Sequence, residues 1–394
     1  MGQPVRNIIK EQHPDTNVKP IYTLLVDGNN LLRRSFTEPK YNSNGDDYGA
    51  VVNFLVQLKI MLKKKVYDYI YCFFDEEGSG MLRYEIYSDY KSNRDKNYSN
   101  MKYQSEYGKQ YAETLRRMQE AIYNKGKKKD RDKNDKEKWI DENFERERAI
   151  LMEMFNEMFI RWMMDDKTEG DDLIAYYVLN KKPEEKIVIW STDEDYAQLI
   201  SDDVIIYNQN EKDFLTKKNF AIKRGYVPEN TLIKKIMCGD TSDNIKNING
   251  LSESRLFELM PEMRDRAVTV DEVKEKAKLM CEEREKQGKK PLKWHQNIID
   301  GVCNGNYDGD FYTINEFLVN LKHPLLTDDA EEELKSMMYN VQDPEGRSFE
   351  NLYNLIMEND ITEFIDSNKF SNFFYEFKLY ADNEIKEYNK KNPK

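Results

Sequence analysis

The chain has 394 residues, 34% of them charged, with a formal net charge of −12 and a mean hydropathy of −0.88. Its apolar runs fall well short of the roughly 20 residues a membrane-spanning helix needs, and its N-terminus lacks the apolar core of a signal peptide, so a membrane span and a membrane partner are excluded. Four cysteines (Cys72, Cys238, Cys281, Cys303) without C-x-x-C spacing and only three histidines speak against a zinc knuckle and suit a reducing compartment.

In chain order, residues 1–20 are polar, carry Pro4, Pro14 and Pro20, and read as a flexible tail. The apolar run Ile21–Val26 predicts a strand ending at Asp27. Val51, Phe54, Leu55, Leu58 and Leu62 recur at helical spacing, and Tyr69–Phe74 predicts a second strand ending at Asp75, which together make a βαβ unit. From Glu76 to about Trp139 the pattern gives way to Tyr, Lys, Asn and Asp, with a near-alternating charge run from Lys125 to Lys138 that is expected to be mobile. A long helix follows, with Leu151, Met154, Phe155, Met158, Phe159 and Trp162 on one core-facing stripe. Glu169-Gly-Asp171-Asp172 opens a helix through Leu173–Leu179. Ile187–Thr192 predicts a third strand ending at Asp193, Val204–Tyr207 a fourth, and Leu232–Met237 a helix entering Gly239-Asp-Thr-Ser-Asp-Asn-Ile245. From about residue 266 the chain reads as helical and charged, without repeats or an obvious site. The fold class is therefore α/β, a mainly parallel central sheet flanked by helices, with a helical C-terminal region over 266–394.

Three apolar runs that each end on an aspartate are the most constraining feature. Such runs read as buried parallel strands, and ligands of open α/β sheets collect outside the carboxyl ends of the strands, so Asp27, Asp75 and Asp193 should share one edge. Glu169, Asp171 and Asp172 lie in the first turn of a helix, Asp195 is two residues beyond Asp193, and Asp240 and Asp243 are three apart and face the same way if their turn is helical. Nine carboxylates gathered in one crevice repel and require cations. An all-oxygen set suits Mg²⁺ or Mn²⁺, and nine acids suit two ions better than one. A single Asp after a strand is more often an N-cap than a ligand, and Asp171 alone reads as a cap; the coincidence across five segments makes the metal reading the stronger one.

The acidic balance does not exclude a nucleic-acid partner, because bound ions offset part of it and the basic residues are clustered. Clusters occur at Lys63–Lys65, at Arg83, Lys91, Arg94 and Lys96, at Lys127–Lys129, and at Lys217, Lys218, Lys223 and Arg224. Each alone reads as a solvated face. The second is interleaved with aromatics, so Lys91 and Arg94 can supply countercharge to a phosphoryl group while Tyr90 stacks on an unpaired base.

At this point the order of the motifs carries a resemblance. Val26-Asp-Gly-Asn29, Phe74-Asp-x-x-Gly78-Ser79 with Arg83, Tyr90-Lys-x-x-Arg94, Glu169-x-Asp-Asp172, Ser191-x-Asp-x-Asp195-x-x-Gln-Leu199 and Gly239-Asp-x-x-Asp-Asn-Ile245 resemble the motif series of the flap endonuclease/5′-3′ exonuclease family. The likeness spans roughly residues 21–265 and extends to the stand-alone phage enzymes, including phage ribonuclease H. Two positions depart from the family pattern: Gly250-Leu-Ser252 stands where a Gly-x-Gly hairpin is usual, and Gly170 where Ala is common.

The resemblance implies a PIN-like nuclease core over 21–265, a helical arch over about 76–139, and a helix-three-turn-helix element over about 228–262. It implies a Mg²⁺-dependent 5′-3′ exonuclease and flap endonuclease that trims RNA primers and 5′ flaps during replication, with Mn²⁺ as a substitute ion. Asp75, Glu169, Asp171, Asp172 and Asp193 are then expected to form the inner site. Asp195, Asp240 and Asp243 extend toward a second ion about 4 Å away, with Asp27 serving either. Asp171, Asp193, Lys91 and Arg94 are the expected catalytic residues; Arg83, Tyr90, Lys91, Arg94, Gly250, Ser252 and Arg255 are the expected nucleic-acid contacts. The implied partners are branched or nicked DNA and RNA–DNA hybrids, with a single-stranded DNA-binding protein or other replisome component at the C-terminal region. A monomer in the cytoplasm is expected, the host's cytoplasm if the chain is phage-encoded.

Three other readings compete. A PIN-type ribonuclease shares the strand-end acids but has no need of the Gly239 motif or the insertion after Asp75. A phosphatase with a nucleophilic first Asp requires a second Asp at position 29, which is Asn. A silent branched-DNA binding protein is expected to have lost ligands, and none is missing.

Overall fold

The computed structural model describes residues 19–63, 67–92, 135–305, 307–364 and 366–393. Arg94, Lys96, Lys127–Lys129 and residues 93–134 of the arch expected over about 76–139 lie outside these residues, as does the tail over 1–18. The chain forms two compact units: Met1–Gly28, Val66–Arg94 and Met163–Met338 make the first, and Asn29–Lys65, Asp95–Trp162 and Tyr339–Lys394 the second. The division expected at residue 265 does not coincide with them, since 266–338 belongs to the first unit.

The chain forms a six-stranded sheet of β1 (Ile21–Asp27), β2 (Tyr69–Phe73), β3 (Arg161–Met163), β4 (Glu185–Trp190), β5 (Val204–Asn208) and β6 (Asp213–Leu215), in the order β3-β2-β1-β4-β5-β6; all but β3, of which only Met163 is included, belong to the first unit. β1 pairs in parallel with β2 and β4, β4 with β5, and β6 returns antiparallel. The residues of β1, β2 and β4 are buried on both faces, which is why their sequences read as unbroken apolar runs. Successive strands are laid to opposite sides of β1, so the chain reverses between β1 and β4, and the crevice at that switch point opens at the carboxyl ends. In register, Asp27 stands level with Phe73 and Val26 with Trp190. β3 and β6, three residues each, were not expected; so short a run has no period to read.

The Gly170–Leu179 helix packs on β1 and β2, with the Tyr71 and Tyr177 ring centroids 4.8 Å apart. Beyond the sheet, Pro228–Asn230 and Thr231–Cys238 lead through a turn to Glu253–Leu259 and Pro261–Arg264. Gly239 begins the turn at φ +64°, where a Cβ would stand 2.5 Å from the Ile245 carbonyl oxygen; only glycine fits. Helices Met81–Ile86, Lys217–Arg224, Val270–Lys286, Lys293–Asp300, Phe311–Val319 and Asp328–Met337 also belong to the unit.

The second unit is built from helices Gly49–Leu62, Asp135–Glu157, Phe349–Glu358 and Ser367–Lys391, with Phe54 against Phe155 and Phe364, Phe373, Phe374 and Phe377 clustered. Buried Arg161 is held by both oxygens of Glu384 at 2.9 and 2.8 Å. The long-helix expectation needs correction at its end. The helix stops at Glu157, Phe159 takes a left-handed φ of +59°, and Trp162 lies in β3 rather than on the helical stripe. Among the described residues no helix is long and apolar enough to cross a membrane.

Candidate metal centre

All nine predicted acids lie in the first unit, and they fall into three groups distinguished by what touches them. The first stands at the switch point. Asp27 closes β1 and accepts the Ser191 hydroxyl at 2.7 Å, while the same hydroxyl accepts the Asp193 N–H at 2.9 Å; one serine thus stitches the ends of β1 and β4. Asp75, just past β2, accepts the Gly170 N–H at 2.7 Å, and a Cβ at Gly170 would stand only 3.1 Å from its Oδ1. Glycine in place of the family's usual Ala therefore lets the helix start approach the carboxylate closely. Asp171, in the first turn of that helix, takes a hydrogen bond from the buried Tyr196 hydroxyl. Burial, then the charges of Asp193, Asp27 and Asp75, push the Asp171 carboxyl well above its ordinary range.

The second group carries its own cations. Arg83 is buried and donates to both oxygens of Asp172, to Glu169 at 2.7 Å, and to the Leu318 carbonyl at 2.9 Å. Asp172 also accepts the Leu325 N–H at 3.1 Å. Lys91 reaches the other oxygen of Glu169, while the oxygen that accepts from Arg83 takes a further bond from the Tyr90 hydroxyl at 3.0 Å. Burial works upward on Glu169, but the Lys91 and Arg83 charges prevail and hold it at about 2. Two expectations are corrected here. Arg83 and Tyr90 do not face a nucleic acid: both are buried, the guanidinium because it neutralises Glu169 and Asp172, the tyrosine because its hydroxyl is taken by Glu169. For the same reason both Asp172 oxygens already have donors.

The third group lies toward the turn. Lys235 bridges Asp195 at 2.6 Å and Asp240 at 2.5 Å. Burial and the Asp193 charge raise Asp195 to about 7 against the pull of Lys235. For Asp240, burial is outweighed by Lys235 and the Ser242 donors, which hold it at about 2. The turn is not helical: Asp240 and Ile245 form a β-bridge, and Ser242 touches Asp240 at 2.7 Å and Asp243 at 3.5 Å. Asp243 and Asn244 also secure the Lys91 backbone, the Asp243 carbonyl accepting the Lys91 N–H at 2.8 Å and the Asn244 amide bonding the Asp89 carbonyl and the Ser92 hydroxyl at 2.8 and 2.9 Å. A cavity of about 420 Å³ runs from Asp193 and Asp195 past Lys235 to Asp240, Asp243 and Ser252.

The donor set fits a hard divalent cation. Every candidate ligand is a carboxylate, Asp171 cannot ionise comfortably beside three others, and the Lys91 and Lys235 ammonium groups occupy positions that a cation favours. Among the described residues no three His, Cys, Asp or Glu side chains close on a single point.

Gly250, Ser252 and Arg255 come together at the hairpin after the turn. The Arg255 guanidinium folds onto the Gly250 carbonyl, and Ser252 caps the following helix by accepting the Arg255 N–H at 3.4 Å. Sequence reasoning missed Lys235, Tyr196 and Ser191 as members of the site. Ser191 lies inside a motif already noted; Lys235, one turn before Gly239, carried no signal apart from its nearness to Asp240.

A family model described as 5′-3′ exonuclease, N-terminal resolvase-like domain, matches residues 22–124 and 113–225. A 5′-3′ exonuclease of Mycoplasmopsis pulmonis is 27% identical over 233 residues, 58% of this chain and 63% of that protein. A thermostable DNA polymerase I of Thermus caldophilus is 26% identical over 244 residues, 61% of this chain and 24% of that protein. The aligned region thus spans less than two thirds of either relative. A bacteriophage T5 flap endonuclease variant, solved with DNA and metal ions, superposes with a TM-score of 0.53 at 16% identity, covering 92% of this chain and 99% of that one. The fold is the PIN-like fold of flap endonucleases. The chain belongs to the 5′-3′ exonuclease N-terminal resolvase-like domain family.

Proposed function

We propose that this protein is a structure-specific 5′-3′ exonuclease and flap endonuclease that uses Mg²⁺ to hydrolyse phosphodiester bonds of RNA primers and 5′ DNA flaps during replication. The observation that carries the reading is Asp171, buried against Asp193, Asp27 and Asp75, an arrangement that needs added positive charge in order to ionise. Divalent ions, when bound, supply the Lewis acidity that activates water at neutral pH and offsets charge on the attacking and leaving oxygens. Asp27, Asp75, Asp171 and Asp193 would hold one ion, and Asp195, Asp240 and Asp243 would extend the site toward a second. Tyr196 orients Asp171, and Ser191 fixes Asp27 relative to the backbone of Asp193.

Lys91 acts as the countercharge. It would exchange Glu169 for the scissile phosphate, freeing a Glu169 oxygen that would help hold the ions, with Arg94 as a second countercharge. The Asp243–Asn244 clasp keeps the Lys91 backbone in place during this exchange. The Gly239–Ser252 turn grips duplex phosphate. Branched DNA and RNA–DNA hybrids are the proposed substrates, a replisome component at 266–394 the proposed partner, and a cytoplasmic monomer the proposed state. The deciding assay offers a 5′-labelled flap and an RNA–DNA hybrid with Mg²⁺ and with EDTA. Cleavage of both that stops in EDTA is expected; turnover in EDTA, or none in Mg²⁺, overturns the reading.

A further inference from the structure

Residues 284–293 join two helices of the first unit and carry five basic side chains, Arg284, Lys286, Lys289, Lys290 and Lys293, against one acid, Glu285. In a chain of net charge −12 this is a strong local reversal of sign. The turn is closed on itself: Gly288 adopts φ +72°, the Lys289 N–H returns to the Arg284 carbonyl at 2.9 Å, and the Arg284 Nε donates to the Lys290 carbonyl at 2.9 Å. The four lysines are exposed, and a Cβ at Gly288 would meet nothing within 4 Å. Among the described residues the four lysines make no ion pair with an acid, and Lys289 bonds the Gln287 amide oxygen at 3.2 Å.

The placement of the turn gives this charge a direction. Trp294 follows Lys293 directly and packs against the hairpin, its Cβ 3.4 Å from where a Gly250 Cβ would stand. The Arg255 guanidinium lies 5.9 Å from the centre of the Trp294 ring. One helical turn on, the Asn297 amide donates to the Asn249 carbonyl at 2.7 Å. The helix that begins with the basic turn is thus fixed to the hairpin that the functional reading assigns to duplex phosphate.

We infer that the basic turn Arg284–Lys293 is a second contact for the phosphate backbone of duplex DNA, continuing the surface of the Gly239–Ser252 hairpin. It rests on the proposed duplex grip and adds a separate binding element to it. Flexible, exposed lysines without acidic partners give affinity by releasing counterions and carry no base information. A rigid frame holding them beside the hairpin extends the footprint along the duplex away from the acid cluster.

The test compares the full-length protein with a K286A/K289A/K290A triple variant, in EDTA, on a flap with a long duplex arm and on a single-stranded oligonucleotide of equal length. Affinity for the duplex substrate should fall about tenfold near physiological salt, and the salt slope should flatten by up to about 2.7, or 0.9 per lost phosphate contact. Affinity for the single strand should not change. Because the three side chains are exposed, an unaltered melting temperature is expected, and a K286E/K289E/K290E variant should deepen the loss. Unchanged duplex affinity and slope in both variants, with a wild type that cleaves flaps in Mg²⁺, overturns this inference and leaves the proposed function standing. A wild type that neither binds duplex nor cleaves overturns both.

Discussion

Two sets of acids a few residues apart in sequence are treated in opposite ways by the same fold. Glu169 and Asp172 face a buried guanidinium held in place by the Leu318 carbonyl; against burial, the Lys91 and Arg83 charges hold Glu169 at about 2, while burial keeps Asp172 somewhat above its ordinary value in spite of Arg83. Asp171, between them in sequence, points to Asp193, Asp27 and Asp75 and is pushed well above the usual carboxylate range. A helix start makes this possible, because consecutive residues there point about 100° apart. The contrast teaches that a permanent cation, Arg83, is built into one side of the crevice, where it fixes its shape, whereas the other side is left to an exchangeable charge.

The largest effect should come from the exchangeable side. Asp171→Ala or Asp193→Ala should lower the cleavage rate by at least about 10²–10³-fold, the scale of losing one preorganised electrostatic partner of a transition state. Binding to branched DNA should be largely kept, since phosphate-tracking residues lie elsewhere. Full activity of either variant in Mg²⁺ breaks the comparison. The built-in side should instead register in stability. Arg83→Leu strands Glu169 and Asp172 without their guanidinium and should cost about 3–5 kcal/mol, the range for breaking a buried pair, read as a lower denaturant midpoint. A near-neutral Arg83→Leu would show that the pairing is unimportant.

The pH response sharpens the contrast. Glu169 and Asp240, depressed to about 2, contribute stability that is present above the ordinary carboxylate pKa and lost as pH falls toward 2. Asp195, raised to about 7, has the opposite sign: its contribution is present below the unfolded pKa and lost as pH rises through 7. The metal-free protein should therefore melt at lower temperature as pH climbs from 5 to 8. Millimolar Mg²⁺ should reverse that loss, because it binds the ionised form of the folded state. A melting temperature in EDTA that is flat over this range would contradict the assignment. The smallest effect belongs to the hairpin: Ser252→Gly gives up a helix cap worth only a few tenths of a kcal/mol, so duplex affinity should be unchanged or slightly tighter. A large loss would mean that Ser252 touches DNA itself.

The exchangeable side was the legible one. Parallel strands buried on both faces must be apolar throughout, so an aspartate at the end of each run marks Asp27, Asp75 and Asp193 as neighbours at a sheet edge. The built-in side was not legible, because Arg83 among tyrosines reads like a surface contact; only the fold shows that Leu318 and Leu325, more than 140 residues away in sequence, close over it and Asp172. Lys235 was missed for the same reason, as a lysine on a short helix normally faces water. The helix end at Glu157 depended on a left-handed Phe159, a conformation that no residue pattern announces.

Calorimetric titration of Mg²⁺ into the metal-free protein and into Asp171→Asn is the most direct test of the central claim. The amide keeps the size of the carboxyl but removes the charge that the exchangeable cation is meant to satisfy. Wild type should bind Mg²⁺ with proton release at pH 7, and Asp171→Asn should bind at least about tenfold more weakly and release fewer protons. Identical stoichiometry, affinity and proton release in the two proteins would contradict the account.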